Sequence, residues 1–118
     1  MLKRLVSFAR PARELTVDEG HRILERDRYQ CQYCGLDGMT NFENHLIMTV
    51  DFVLPRARKG SHKPSNLVAA CRPCNVMKGR RVFSNFEEAK KYVLQRREQL
   101  RLQWLETLSR PAARRPGV

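Results

Sequence analysis

The sequence predicts a small α+β domain stapled by a metal, and three observations predict it. Its four cysteines fall in two C-x-x-C pairs, Cys31/Cys34 and Cys71/Cys74. Between the pairs, apolar residues alternate from Leu46 to Leu54 as they do along a strand. On either side lie segments with helix-start signatures, Thr16 with Glu19 and Ser84 with Glu87.

The elements follow in chain order. Pro11 closes a basic start, and the Thr16/Glu19 capping box predicts a helix from Val17 to about Arg28. Gly20 inside it costs about 1 kcal/mol relative to alanine, so this helix needs something to dock on. The first knuckle, Cys31-Gln32-Tyr33-Cys34, is followed by Gly35, and residues 35–44 carry the Gly, Asp, Asn and Thr of a loop. Leu46, Met48, Val50, Phe52 and Leu54 alternate with Ile47, Thr49, Asp51 and Val53 as a strand that Pro55 ends. Residues 56–65 form a basic connecting loop, and Asn66 to Ala70 return as a second strand into Cys71.

The second knuckle, Cys71-Arg72-Pro73-Cys74, runs into a short helix with Pro73 in its first turn and Gly79 at its end. Ser84 with Glu87 opens a long helix over 85–109. Phe86, Val93, Leu100, Trp104 and Leu108 give that helix one apolar face suited to core packing, while Lys90, Arg97 and Arg101 mark a basic one. The expected organisation is a basic arm or targeting-like segment over 1–15, a zinc domain over 16–109 with its core at 26–79, and a basic tail over 110–118.

Charge narrows the partner. Lysine and arginine total 23 against 12 acidic residues, a formal net charge of +11. Such a chain attracts polyanions, nucleic acid first among them. An anionic membrane surface is the competing polyanion, but no apolar run approaches the roughly 18 residues of a membrane span, and no membrane partner is expected. Residues 1–13 hold Lys3, Arg4, Arg10 and Arg13 and no acid, with Leu2, Leu5, Val6 and Ala9 at helical spacing. That pattern suits a mitochondrial transit segment, a nucleic-acid-binding arm or a plain basic tail. The expected location is intracellular, mitochondrial on the first of these alternatives and cytoplasmic otherwise.

Two C-x-x-C knuckles match the spacing zinc prefers. A disulfide framework lacks the secretory segment it requires, and a redox pair does not explain why there are two knuckles. Four thiolates close a tetrahedral site and leave no position for water, which makes one zinc structural rather than catalytic. Arg26, Arg28 and Arg72 lie close in sequence and are candidates to offset its negative charge.

Three motifs then stand together: Arg26-Asp27-x-Tyr29-x-Cys31-x-Tyr33-Cys34-Gly35; Thr49-Val50-Asp51-Phe52-Val53-Leu54-Pro55-Arg56; and Asn66-Leu67-Val68-Ala69-Ala70-Cys71-Arg72-x-Cys74-Asn75-x-x-Lys78-Gly79. Over residues 26–79 the chain resembles the HNH endonucleases with a four-cysteine zinc site. The resemblance implies a ββα-metal finger, in which two strands and a helix present one divalent cation, magnesium or manganese, to a phosphodiester. It implies Asp51 and Asn75 as ligands of that cation, Asn66 as the brace of the inter-strand loop, and Lys78 as a phosphate contact. It also implies a general-base histidine at the position Phe52 occupies. Phenylalanine accepts no proton, and general-base catalysis contributes about 10²–10⁴-fold. His62 in the basic loop is a candidate substitute base, while His45 and His21 have no evident route to the site. The family's double glycine reads Lys59-Gly60 here.

The expected function is nucleic-acid binding, DNA or RNA, by an HNH-type protein whose cleavage is impaired, with a place in a larger ribonucleoprotein such as an organellar ribosome as one setting. An active endonuclease and a zinc-dependent protein-interaction module are the alternatives; Asp51, Asn66 and Asn75 weigh against the last. The residues expected to meet nucleic acid are Arg56, Arg58, Lys59, Lys63, Lys78, Arg80, Arg81, Arg97 and Arg101. Oligomeric state has no signature in the sequence.

Overall fold

In a computed structural model, residues 13–111 are described. The expected basic arm and tail lie mostly outside that range. The elements are α1 (Val17–Arg26), α2 (Phe42–Leu46), β1 (Met48–Phe52), β2 (Leu67–Cys71), α3 (Arg72–Lys78) and α4 (Phe86–Ser109). β1 and β2 pair antiparallel, with Met48 opposite Cys71, Val50 opposite Ala69 and Phe52 opposite Leu67. Strand, strand and helix therefore follow one another in the α+β order the sequence predicts.

α1 starts on the capping box, with the Thr16 side chain accepting from the Glu19 backbone. It ends at Arg26 because Arg28 and Tyr29 both take left-handed backbone angles, φ 57 and 53, and turn the chain into the first knuckle. Arg26 and Asp27 tie that turn to β2. Arg26 Nη2 donates to the Leu67 carbonyl at 2.6 Å, and Asp27 Oδ2 accepts from Ala69 N at 2.8 Å.

Three expectations about elements need correction. The stretch 35–44 is not all loop. Asn41 caps a helical turn at Phe42–Leu46, so Leu46 leaves the strand and β1 begins at Met48. The long helix is capped by Asn85, whose side chain accepts from Glu88 N, one residue later than the Ser84/Glu87 pattern indicates. Its apolar face packs only in the first half. Ala89 and Val93 are fully buried, whereas Trp104 is 57% exposed and Leu108 38%. The hydrophobic core is shorter than the helix, so from Arg101 onward every described residue of α4 is exposed.

Two small cores hold the domain. One gathers Tyr33, Ala70, Ala89 and Val93 around the cysteines, with Phe86 and Tyr92 packed against it. The other joins Ile23, Phe52 and Leu67, with Leu15 and Val50 alongside. The loop between the strands closes on itself through Gly60. A Cβ there would lie 1.6 Å from the Leu54 carbonyl oxygen, so no larger residue fits. Lys59 adopts φ +63 just before it, the left-handed region a glycine would take at less cost. Gly79, at φ +61, ends α3 as expected.

Candidate metal centre and nucleic-acid cleft

The two knuckles converge. Gly35 N donates to the Cys31 carbonyl at 2.9 Å and Cys34 N points to Cys31 Sγ at 3.5 Å, folding the first knuckle tightly. Cys71 ends β2 and stands at the N-cap of α3, which places Cys74 one turn on. The four sulfurs all lie within 4.8 Å of one another, and Cys34 Sγ is 3.7 Å from Cys71 Sγ. A tetrahedron of ~2.3 Å zinc–sulfur bonds puts its sulfurs about 3.8 Å apart, so the donor set fits a tetrathiolate metal such as zinc. Bound there, the ion would link both knuckles, β2 and α3 into one folding unit.

The guanidinium that reaches this cluster is not one of the three the sequence suggests. Arg97, from α4, donates Nη1 to Cys74 Sγ at 3.5 Å. Burial alone would lower its pKa, yet the negative charge on the Cys34 and Cys74 sulfurs holds it above the ordinary value. Arg26 is committed to Asp27 and to the Pro64 and Leu67 carbonyls. Arg97, expected among the nucleic-acid contacts, thus has its guanidinium against the cysteine cluster.

A cleft of about 540 Å³ opens beside β1, lined by Asp51, Phe52, Arg56, Asn75, Gly79 and Arg80 among others. The chain thus brings the two expected cation ligands, Asp51 and Asn75, to one wall with two arginines. Asp51, however, is only 4% exposed. Tyr33 donates its hydroxyl to Asp51 Oδ2, and the Lys78 ammonium sits 3.4 Å from Oδ1. Burial pushes the Asp51 carboxyl up, while Lys78 and Tyr33 pull it back. The Tyr33 hydroxyl is raised by burial and by the adjacent Asp51 charge. An enclosed carboxylate already compensated by an ammonium does not fit a divalent cation, and Asn75 alone is a poor site for one.

Lys78 is the clearest correction. The motif places it against phosphate, yet it is 1% exposed, bonded to Asp51 and donating to the Phe52 carbonyl at 2.9 Å. α3 is short and packed on the strands, so a side chain in its last turn falls inward. Tyr33 carries no site expectation from the sequence, and Arg97 carries one only as a nucleic-acid contact; the signal available was Tyr33's place inside the knuckle.

Asn66 braces the inter-strand loop. Its side chain accepts from Leu54 N at 2.8 Å and donates to the Leu54 and Ser61 carbonyls at 3.2 and 2.9 Å. Phe52 packs into the second core at 7% exposure, and His62 meets it edge-on with ring centroids 5.3 Å apart. His62 Nε2 lies 2.6 Å from the Arg13 carbonyl oxygen, so the neutral ring carries its proton there and offers a lone pair at Nδ1. His45 is stacked on Tyr29 at 5.4 Å. Arg58, Lys59, Lys63, Arg80, Arg81 and Arg101 are exposed and Arg56 half-buried, with Arg101 paired to Glu98 at 2.7 Å.

Residues 31–81 match the family model described as HNH endonuclease. A curated relative is the CRISPR-associated endonuclease Cas9 of Corynebacterium diphtheriae, 37% identical over 65 residues. That match covers 54% of this chain and 6% of the Cas9 protein, so the chain spans a small part of that relative's length. No solved structure matches significantly.

Proposed function

We propose that this chain, whose residues 31–81 match the HNH endonuclease model, binds nucleic acid along the arginine-rimmed cleft and has lost most of its power to cut it. The observation that carries this reading is the state of the cleft wall. Phe52 stands where a proton acceptor is needed, and Asp51 is neutralised from within by Lys78. The tetrathiolate site holds zinc as a structural ion, and the surplus of basic residues supplies affinity through phosphate contacts. A ribonucleoprotein, an organellar one included, is a setting in which such binding without cleavage is useful.

One observation favours a second reading, residual hydrolysis with His62 as the base. Its ring lies against Phe52, and its Nδ1 lone pair is set by the Arg13 carbonyl.

Binding is tested by fluorescence anisotropy with duplex DNA and duplex RNA over a salt series, comparing wild type with Arg56→Gln/Arg80→Gln. The expected result is a log–log salt slope shallower by about two for DNA, since each phosphate contact contributes about 0.9. Wild-type affinity that is absent, or unchanged by the two substitutions, overturns the cleft as the interface.

A further inference from the structure

A second basic hollow, of about 270 Å³, is lined by Arg81, Tyr92, Gln95, Arg96 and Gln99. No carboxylate lines it. Tyr92, Gln95, Arg96 and Gln99 fall at i, i+3, i+4 and i+7 of α4, so one rigid helical face supplies four of the five residues.

Arg81 is held in place. Its Nε donates to the Tyr92 hydroxyl at 2.7 Å, and its guanidinium carbon lies 4.8 Å from the Tyr92 ring centroid. That ring in turn packs on Phe83 at 5.4 Å. Clamped through Nε, Arg81 keeps both terminal nitrogens without a hydrogen-bond partner among the described residues. Arg96 spends one bond on Gln99 Oε1 at 3.3 Å. Two guanidinium groups on one hollow repel each other unless an anion joins them, and a planar fork with its terminal nitrogens unbonded suits two oxygens of a phosphate.

We propose that Arg81, Arg96 and Tyr92 form a second phosphate-binding site, which receives the sugar–phosphate backbone where the nucleic acid leaves the cleft. The continuity lies in the chain. Arg80 lines the cleft and Arg81, the next residue, lines the hollow. A nucleic-acid strand carries a phosphate every ~3.4 Å of helix axis, so a strand passing Arg80 brings further phosphates within reach of Arg81. Gln95 and Gln99 offer amide donors on the same wall. Tyr92 is a positioning residue, since its hydroxyl aims Arg81 rather than meeting the phosphate.

This proposal rests on the nucleic-acid reading above, and the experiment separates the two. The zinc-loaded full chain is titrated into a labelled duplex DNA of mixed sequence at several salt concentrations. Wild type is compared with Arg81→Gln/Arg96→Gln, Arg96→Gln alone and Tyr92→Phe, each checked for zinc content and circular dichroism. The double variant is expected to lose about two phosphate contacts from the salt slope and Arg96→Gln about one, with affinity down about tenfold or more at low salt. Tyr92→Phe keeps the ring and loses the hydroxyl clamp, so its affinity falls between wild type and the double variant. Wild type that binds with an affinity and slope untouched by these substitutions overturns this site and leaves the cleft standing. Wild type that does not bind at all overturns the nucleic-acid reading itself.

Discussion

Replacing Lys78 with methionine keeps most of the length of the unbranched side chain and removes one buried charge. Its side chain is fully enclosed and that of Asp51 is 5% exposed, so solvent screens the pair very little. At the 3.4 Å separation, with an effective dielectric of ~20, the attraction is about 5 kcal/mol. Breaking a buried pair by removing one partner costs about 3–5 kcal/mol, because the other charge stays behind uncompensated. A small domain has roughly 5–15 kcal/mol in all, so Lys78→Met should remove a large share of its stability. The measurement is urea unfolding of the zinc-loaded protein followed by circular dichroism.

The sign with pH follows from Asp51. Burial already raises its carboxyl in the folded protein, and Lys78 holds it down. Without Lys78 it rises further. A carboxyl whose folded pKa exceeds its unfolded value costs stability above the folded pKa, and the cost fades as pH falls toward about 4. The deficit of Lys78→Met relative to wild type should therefore be greatest at alkaline pH and shrink on acidification. Asp51→Asn/Lys78→Met should recover part of the loss. A deficit below about 1 kcal/mol at neutral pH would refute the buried-pair argument.

Removing zinc with a chelator, or Cys71→Ser, should unfold the domain, since structural zinc supplies about 10–16 kcal/mol in comparable small domains; a native-like melting curve without metal would contradict this. Arg97→Ala removes the N–H···S contact with Cys74 and should weaken zinc retention about 10–100-fold in chelator competition, as outer-shell partners generally do. Asn66→Ala leaves the Leu54 amide, among others, without its partner and should cost about 1–3 kcal/mol in the same urea assay. Gly60→Ala should destabilise the loop severely, because its methyl has no space beside the Leu54 carbonyl; a wild-type melting temperature would show that the loop can rearrange.

The four-cysteine cluster was legible in the sequence because its information is local. Two C-x-x-C spacings state ligand type and turn geometry together, and the first strand between them follows from period-two alternation. The failures have physical reasons too. The family resemblance implies Lys78 as a phosphate contact, but burial depends on how α3 packs against β1, which periodicity over a seven-residue helix does not encode. Arg97 is far along the chain from Cys74, and only the docking of α4 joins them. Trp104 and Leu108 continue a true helical stripe, yet a stripe says nothing about how far the core beneath it extends. The 42–46 turn was hidden because Asn41 reads equally well as loop or as cap.

The claim that this chain binds nucleic acid but does not cut it is tested most directly by nicking of supercoiled plasmid with magnesium or manganese, using wild type, Phe52→His and His62→Ala. A bound cation would have to displace Lys78 from Asp51, so wild-type activity is expected to be at trace level. Restoring the histidine should raise the rate by about 10²-fold or more, the usual contribution of a general base. Rapid nicking by wild type that His62→Ala abolishes would contradict the claim and make this chain an enzyme with its base on the loop.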